Sequence, residues 1–285
     1  MASLKDIRRR IRATKNMQQI FKAMEMVAAA KLRRAQARAL ASSPYARKIT
    51  EMLAKLSAAA AELEHPLYQV REAKSTALVV ITADRGFAGA YNTNVLRVAE
   101  QRLRAAPAGS IQLVVIGRKG RDYLRRRRYP VLAAHTDLPA EASIEAARRL
   151  TDELRELFLS GKVDRIEVMY AHFVNALTRQ IRTEVFLPVG ADQAQEKAPE
   201  GDIIFEPDAE TIFGELLSRY ATAKLYAAMA DARASEESAR MVAMGSARKN
   251  AGELVDALTL TRNRLRQAAI TKEIAELVGG AEALK

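Results

Sequence analysis

Apolar residues in the last quarter of the chain fall at helical spacing. Leu254, Leu258, Thr261, Leu265 and Ala268 recur at steps of four and three, and Ile270, Ile274, Leu277, Ala281 and Leu284 repeat the pattern one face further round. No proline follows Pro207, so the pattern predicts one continuous helix over 209–285. The first stretch has the same period: Leu4, Ile7, Ile11 and Thr14, then Met17, Ile20, Met24 and Val27, with Ser3 and Asp6 marking a helix start. Pro44 predicts a bend or an interruption, after which Ile49, Leu53 and Leu56 carry the pattern to about residue 62. Two such helices predict an antiparallel two-helix coiled coil made from both chain ends. If the first leaves the intervening domain near Ala58 and the second re-enters near Ala209, level residues have numbers summing to about 267. Met24 then lies beside Ala243, and residues 266–285 project beyond the first helix with their apolar stripe unpartnered.

Between the two helical ends the period changes. STALVVIT and IQLVVIG are continuous apolar runs of strand length, each followed by a helical pattern. A short strand near residues 129–133, a helix over 141–160 and the strands VDRIEVMYAHF and LTRQIRTEVFLPV complete the segment. Strands alternating with helices predict a Rossmann-like α/β domain of about five strands over 74–190, mainly parallel. The last two strands are too close in sequence for a crossover and predict an antiparallel hairpin at the sheet edge. Residues 191–208 read as a polar linker with an apolar patch at Ile203, Ile204 and Phe205.

Composition narrows the chemistry. The chain has 285 residues and no cysteine, so disulfides, thiolate metal sites and a catalytic thiol are excluded, and its three histidines lie far apart. No apolar run reaches membrane-spanning length, and the start carries no secretion signal. The net charge of +12 is concentrated at one end: residues 1–50 hold thirteen Lys or Arg against Asp6 and Glu25, whereas 208–285 hold eleven of each sign. The basic field therefore belongs to the first helix, with Arg8, Arg9, Arg10 and Arg12 at its start. It would attract an acidic protein face, an anionic membrane surface or nucleic acid. Only Phe21 is interleaved with the basic residues of 1–40, which leaves little for stacking on bases.

The loop ADRGFAGAYN (83–92) lies where open parallel sheets bind ligands, yet it has neither the three-glycine dinucleotide fingerprint nor the Gly-Lys-Ser/Thr end of a phosphate loop. It reads as a structural turn or protein contact. Arg125 to Arg128 point all round their helix and cannot form one row. Met24, Met26, Met241 and Met244 read as coil core, and Gly245 and Gly252, seven apart, as points of close helix approach. No serine stands in a nucleophile elbow, so no catalytic set is complete.

KDIRRRIRATKNMQQIFKAMEMVAAAKL, DRGFAGAYN, EPD, ARMVAM, NAG and LTLTRNRLRQAAITKEIAELVGGAEAL together resemble the gamma subunits of F-type ATP synthases. The resemblance spans both termini and the middle loop. It implies a non-catalytic rotor shaft with no cofactor, turning inside a ring of alpha and beta subunits on the c ring and meeting an epsilon-type subunit. It also implies a place peripheral to a bacterial cell membrane, on the cytoplasmic side. By motif, Arg266, Gln267, Thr271 and Glu273 look like beta-subunit contacts, as do Met24 and Arg240. Ile270, Ile274, Leu277, Ala281 and Leu284 resemble the bearing tip, and Ile203, Ile204 and Phe205 the segment facing the c ring. Phe87-Ala88 and Gly245 depart from the family pattern. The competing expectation is a nucleotide-binding α/β enzyme using loop 83–92, with the helices as an oligomerisation arm.

Overall fold

The computed structural model describes residues 3–59, 65–138, 143–189 and 209–282. Its elements follow the order α1 (Leu4–Ala59), β1 (Thr76–Ile81), α2 (Tyr91–Ala105), β2 (Ile111–Ile116), α3 (Arg118–Arg126), β3 (Val131–His135), α4 (Ile144–Leu159), β4 (Arg165–Phe173), β5 (Arg179–Leu187) and α5 (Ala209–Glu282). The chain divides into two compact units, Met1–Ala28 with Met241–Lys285, and Ala29–Arg240. Pro44 lies inside α1, so the helix runs through it.

In the larger unit the five strands lie in the order β3-β2-β1-β4-β5. β1 pairs in parallel with β2 and β4, β2 with β3 likewise, and β4 and β5 form the expected antiparallel hairpin. All six residues of β1 are buried because helices cover both sheet faces, which is why its sequence is an unbroken apolar run. Ala77, Val79 and Ile81 share a core with Leu150, Leu154 and Phe158 of α4, Leu217 and Leu225 of α5, and Ile49 and Leu53 of α1. Leu78 and Val80 face the other way, onto Val95 and Leu96 of α2 and Leu124 of α3. Each of these side chains larger than alanine contributes roughly 1.5–3 kcal/mol by leaving water. The β2–α3 turn requires Gly117: its φ is +101, and a Cβ there would lie 2.2 Å from the Thr82 carbonyl oxygen.

The smaller unit pairs the start of α1 with the end of α5. Ser3 opens α1 by accepting from the Asp6 amide at 3.2 Å while its hydroxyl donates to the Asp6 carboxylate at 2.9 Å. Ile7, Ile11 and Val255 form the buried cluster, with Leu258 and Leu265 packed against it. Gln18 faces Gly252 and Glu25 faces Gly245, each within one helical turn of the expected register. Glu25 also meets Arg248 at 2.8 Å.

The seam is not the one the apolar pattern predicts. Met17, Ile20 and Val27 are 45%, 51% and 53% exposed, Leu254 is 51% exposed, and Met26 is 62% exposed. Thr261 and Ala268 are exposed too. The less exposed stripe of α1 is Ile7, Ile11, Thr14, Gln18, Phe21, Glu25 and Ala28, with Val255 taking the place expected of Leu254. Two helices bury only one stripe each. Polar Gln18 and Glu25 occupy part of it because the glycines opposite leave room: a Cβ at Gly252 would come 2.9 Å from the Gln18 amide nitrogen, and one at Gly245 would come 3.2 Å from a Glu25 carboxylate oxygen. Both glycines are points of close approach, and Met244 alone of the exposed-or-core methionines singled out above is fully buried, at 4%.

Candidate functional site

Within the smaller unit, the hydrophobic cluster between the helices reaches as far as Leu265 among the described residues. Beyond it Arg266, Gln267, Thr271 and Glu273 are exposed, and Ile270, Ile274, Leu277 and Val278 are exposed by 48%, 56%, 74% and 58%. A helix that presents four large apolar side chains to solvent within nine residues carries surface that water does not favour. Ala281 falls within α5, and Leu284 lies outside the described residues. On α1, Arg8, Arg9, Arg10 and Arg12 are all exposed, Arg9 pairing with Asp6 at 3.3 Å. Met24 is half-buried.

In the larger unit, the loop between β1 and α2 is tied down by its own side chains. Asn92 accepts from the Ala83 amide at 2.9 Å, and Asp84 accepts from the Arg118 amide at 2.8 Å, capping α3. Arg240 reaches the Gly86 carbonyl at 3.4 Å from both Nε and one terminal nitrogen. Arg240 belongs to a four-member charge cluster on α5. Its guanidinium meets Glu236 at 2.5 Å and Glu237 at 2.7 Å, and Arg233 meets the same two carboxylates at 2.7 and 3.1 Å. Glu237 is 1% exposed and Arg240 11%, so these charges are held inside the fold. The surrounding carboxylates hold the Arg240 pKa above the ordinary arginine value against the opposing effect of burial. Sequence reasoning singled out Arg240 but missed its three partners. The signal was present: residues 233, 236, 237 and 240 stand at i, i+3, i+4 and i+7, which places all four on one helix face.

The crevice at the carboxyl ends of β1 and β2 is nearly filled by α5. The cavity left there, lined by Thr82, Tyr91, Gly117, Met229, Arg233 and Glu236 among others, is about 70 Å³. Small-molecule pockets run to several hundred Å³, so a nucleotide does not fit. The Tyr91 hydroxyl is spent on the Ala232 carbonyl at 3.2 Å, and burial pushes its pKa up. Among the described residues no group of acidic, His or Cys side chains could hold a metal ion, and no helix is long and apolar enough to cross a membrane.

The family model described as ATP synthase matches residues 3–284. The ATP synthase gamma chain of Moorella thermoacetica is 45% identical over 287 residues, covering 100% of both chains. That of Desulforamulus reducens is 45% identical over 285 residues with the same coverage. The chain belongs to the ATP synthase gamma chain family. Its fold is that of solved ATP synthase chains as well: one from the Euglena gracilis mitochondrial enzyme aligns with a TM-score of 0.73 at 21% identity, over 99% of this chain and 94% of that one. Of the residues expected at beta-subunit contacts, Arg266, Gln267, Thr271 and Glu273 are open to solvent, and Arg240 is engaged in internal ion pairs. Ile203, Ile204 and Phe205 lie outside the described residues, as does the whole of the linker 191–208 that carries them.

Proposed function

We propose that the chain is the central-stalk rotor of an F-type ATP synthase. It transmits torque between the membrane c ring and the catalytic alpha and beta subunits, coupling ion flow to ATP synthesis and hydrolysis without doing chemistry itself. The full-length likeness to bacterial gamma chains at 45% identity supports this reading, and the solved neighbours include a central stalk with its c ring from Tetrahymena thermophila. The observation that carries it is the exposed end of α5. An apolar stripe on a lone helix needs cover from another protein, and Ile270, Ile274, Leu277, Ala281 and Leu284 would form the bearing that a sleeve of alpha and beta subunits encloses.

Within that role Arg266, Gln267, Thr271 and Glu273 contact a beta subunit, with Met24 lower on the coil. Arg240 is coupled to the contact at Met24, its guanidinium held by Glu236 and Glu237. The basic face at Arg8, Arg9, Arg10 and Arg12 passes acidic segments of the sleeve, where charge attraction guides position without a fixed register. Ile203, Ile204 and Phe205 face the c ring, and an epsilon-type subunit docks on the α/β unit. No nucleic acid takes part. The complex places the chain peripheral to a bacterial cell membrane on the cytoplasmic side. Reconstitution with alpha and beta subunits tests the assignment: ATPase turnover and single-molecule rotation should require this chain, and equal turnover without it would refute the rotor role.

A further inference from the structure

Open α/β sheets bind ligands outside the carboxyl ends of their strands where the winding direction reverses. Here α2 leads from β1 to β2 on one sheet face, and α4 returns to β4 from the other, so the reversal lies between β1 and β4. The crevice over β1 and β2 is filled by α5. Between the start of α2 and the β4–β5 hairpin, however, an open cavity of about 390 Å³ remains.

Its lining has a one-sided charge. Arg97 of α2 and Arg179 of β5 both line it, together with Asn94 and Thr178, and no carboxylate does. Several other half-buried arginines of this unit do have carboxylate partners. Arg165 and Arg102 share Glu167, at 3.0 and 3.4 Å, and Arg233 and Arg240 share two glutamates. Arg179 has no carboxylate within ion-pair distance among the described residues. One terminal nitrogen donates to the Ala176 carbonyl at 3.0 Å and lies 3.4 Å from the Ser238 hydroxyl, while its Nε is buried with no partner. Burial also lowers the Arg179 pKa from the ordinary arginine value. A guanidinium drawn out of water without a counter-charge is costly, and the cost is recovered when an anion enters. Its planar fork suits a tetrahedral or planar oxyanion, with Arg97 as a second charge and Asn94 as a neutral donor. The only aromatic side chain in the lining, Tyr91, is 4% exposed with its hydroxyl already bonded. No ring face is therefore offered to a nucleobase.

We propose that this cavity is a binding site for a small oxyanion of the phosphate class, held by Arg179 and Arg97. The site belongs to the α/β unit. Inorganic phosphate is titrated into the purified full-length chain at constant ionic strength, chloride balancing the anion, and followed by phosphorus-31 line broadening. Saturable binding with a Kd of about 1 mM or tighter is expected. Arg179→Gln and Arg97→Gln should each weaken it by about tenfold or more, the loss of one charge-assisted hydrogen bond, and Arg179→Lys should restore part of it. Arg97 is exposed and has no hydrogen-bond or ion-pair partner among the described residues, so its variant separates loss of ligand from loss of structure. ADP in place of phosphate should bind no tighter; an ADP affinity about 100-fold greater would overturn the assignment in favour of a nucleotide site. Absence of saturable phosphate binding, or binding that survives both glutamine variants, would overturn it as well.

Discussion

Glu237→Ala tests whether the α5 charge cluster holds the fold together. Glu237 is 1% exposed and lies 2.7 Å from Arg240 and 3.1 Å from Arg233. Removing it leaves two guanidiniums sharing Glu236, one positive charge in excess inside the protein. Breaking a buried ion pair costs about 3–5 kcal/mol. Arg233 is 26% exposed and regains water, which pulls the expected loss to the low end, about 3 kcal/mol. The double variant Glu237→Leu with Arg240→Met removes one negative and one positive charge together. It leaves the Arg233–Glu236 pair at 2.7 Å intact and should cost only about 1 kcal/mol or less, about 2 kcal/mol less than the single variant. Amide hydrogen exchange reads this locally, over loop 83–92 and the middle of α5, where Arg240 bridges to Gly86. Protection should fall in the single variant and largely return in the double. A single variant that costs less than about 1 kcal/mol, or a double as damaging as the single, would refute the account of a mutually neutralised cluster.

Arg266→Ala with Gln267→Ala should lower coupled ATP synthesis in membrane vesicles while helix content is unchanged, because both side chains are exposed and support nothing in the coil; undiminished synthesis removes them from the contact surface. Glutamate at Arg8, Arg9 and Arg10 should impair assembly with alpha and beta subunits more at low than at high salt, and a defect indifferent to salt points instead to misfolding. The Asp6 carboxyl is held below its ordinary value of 3.8, first by the Ser3 hydroxyl, then by the Ser3 backbone and the nearby Arg9 and Arg10. A depressed carboxyl pKa means that the cap's support of α1 is complete above that ordinary value and is lost as pH falls through the lower, folded one. Exchange protection at the start of α1 should follow that course, and Asp6 titrating at or above 3.8 in an NMR titration refutes it.

The α/β unit was legible because its signals are local and redundant. β1 is apolar throughout since both its faces are covered, and the few residues between β4 and β5 exclude a crossover, so strand type, order in the chain and the hairpin all follow from spacing. The coil was legible as a coil but not in its contact face. On α1, Met17, Ile20, Met24 and Val27 hold helical spacing as faithfully as Ile7, Ile11 and Ala28, and periodicity cannot say which of two apolar stripes meets the partner. What decides it is steric and non-local: Gly252 and Gly245 admit Gln18 and Glu25 at close range, and that pins the face. The charge cluster at Arg233, Glu236, Glu237 and Arg240 had the right spacing, but helix-face charges of that spacing are ordinarily solvated. Only the packing of α5 over the sheet's carboxyl edge buries them.

The unused stripe explains how one helix pair serves both as a stable coil and as a moving part. Ile7, Ile11, Val255, Leu258 and Leu265 hold the two helices to each other. Met17, Ile20 and Val27 on α1, with Leu254, Leu260, Ile270, Ile274 and Leu277 on α5, remain about half exposed or more. Covering any one of them is worth at most about 1.5–3 kcal/mol, and a fraction of that where half the side chain is already shielded. That contact is non-directional and proportional to area, so a greasy wall meets it nearly as well at one rotational angle as at another. Directional contacts behave differently: a hydrogen bond weakens steeply as donor and acceptor lose alignment. A rotor with apolar side chains around its end and polar groups such as Arg266, Gln267, Thr271 and Glu273 at a few positions therefore has a smooth background with angle-dependent contacts set into it. In the proposed rotor the smooth part would keep the shaft centred, and the polar part would make each angle favour a different conformation of the subunit it faces, which is all that coupling between rotation and nucleotide chemistry requires.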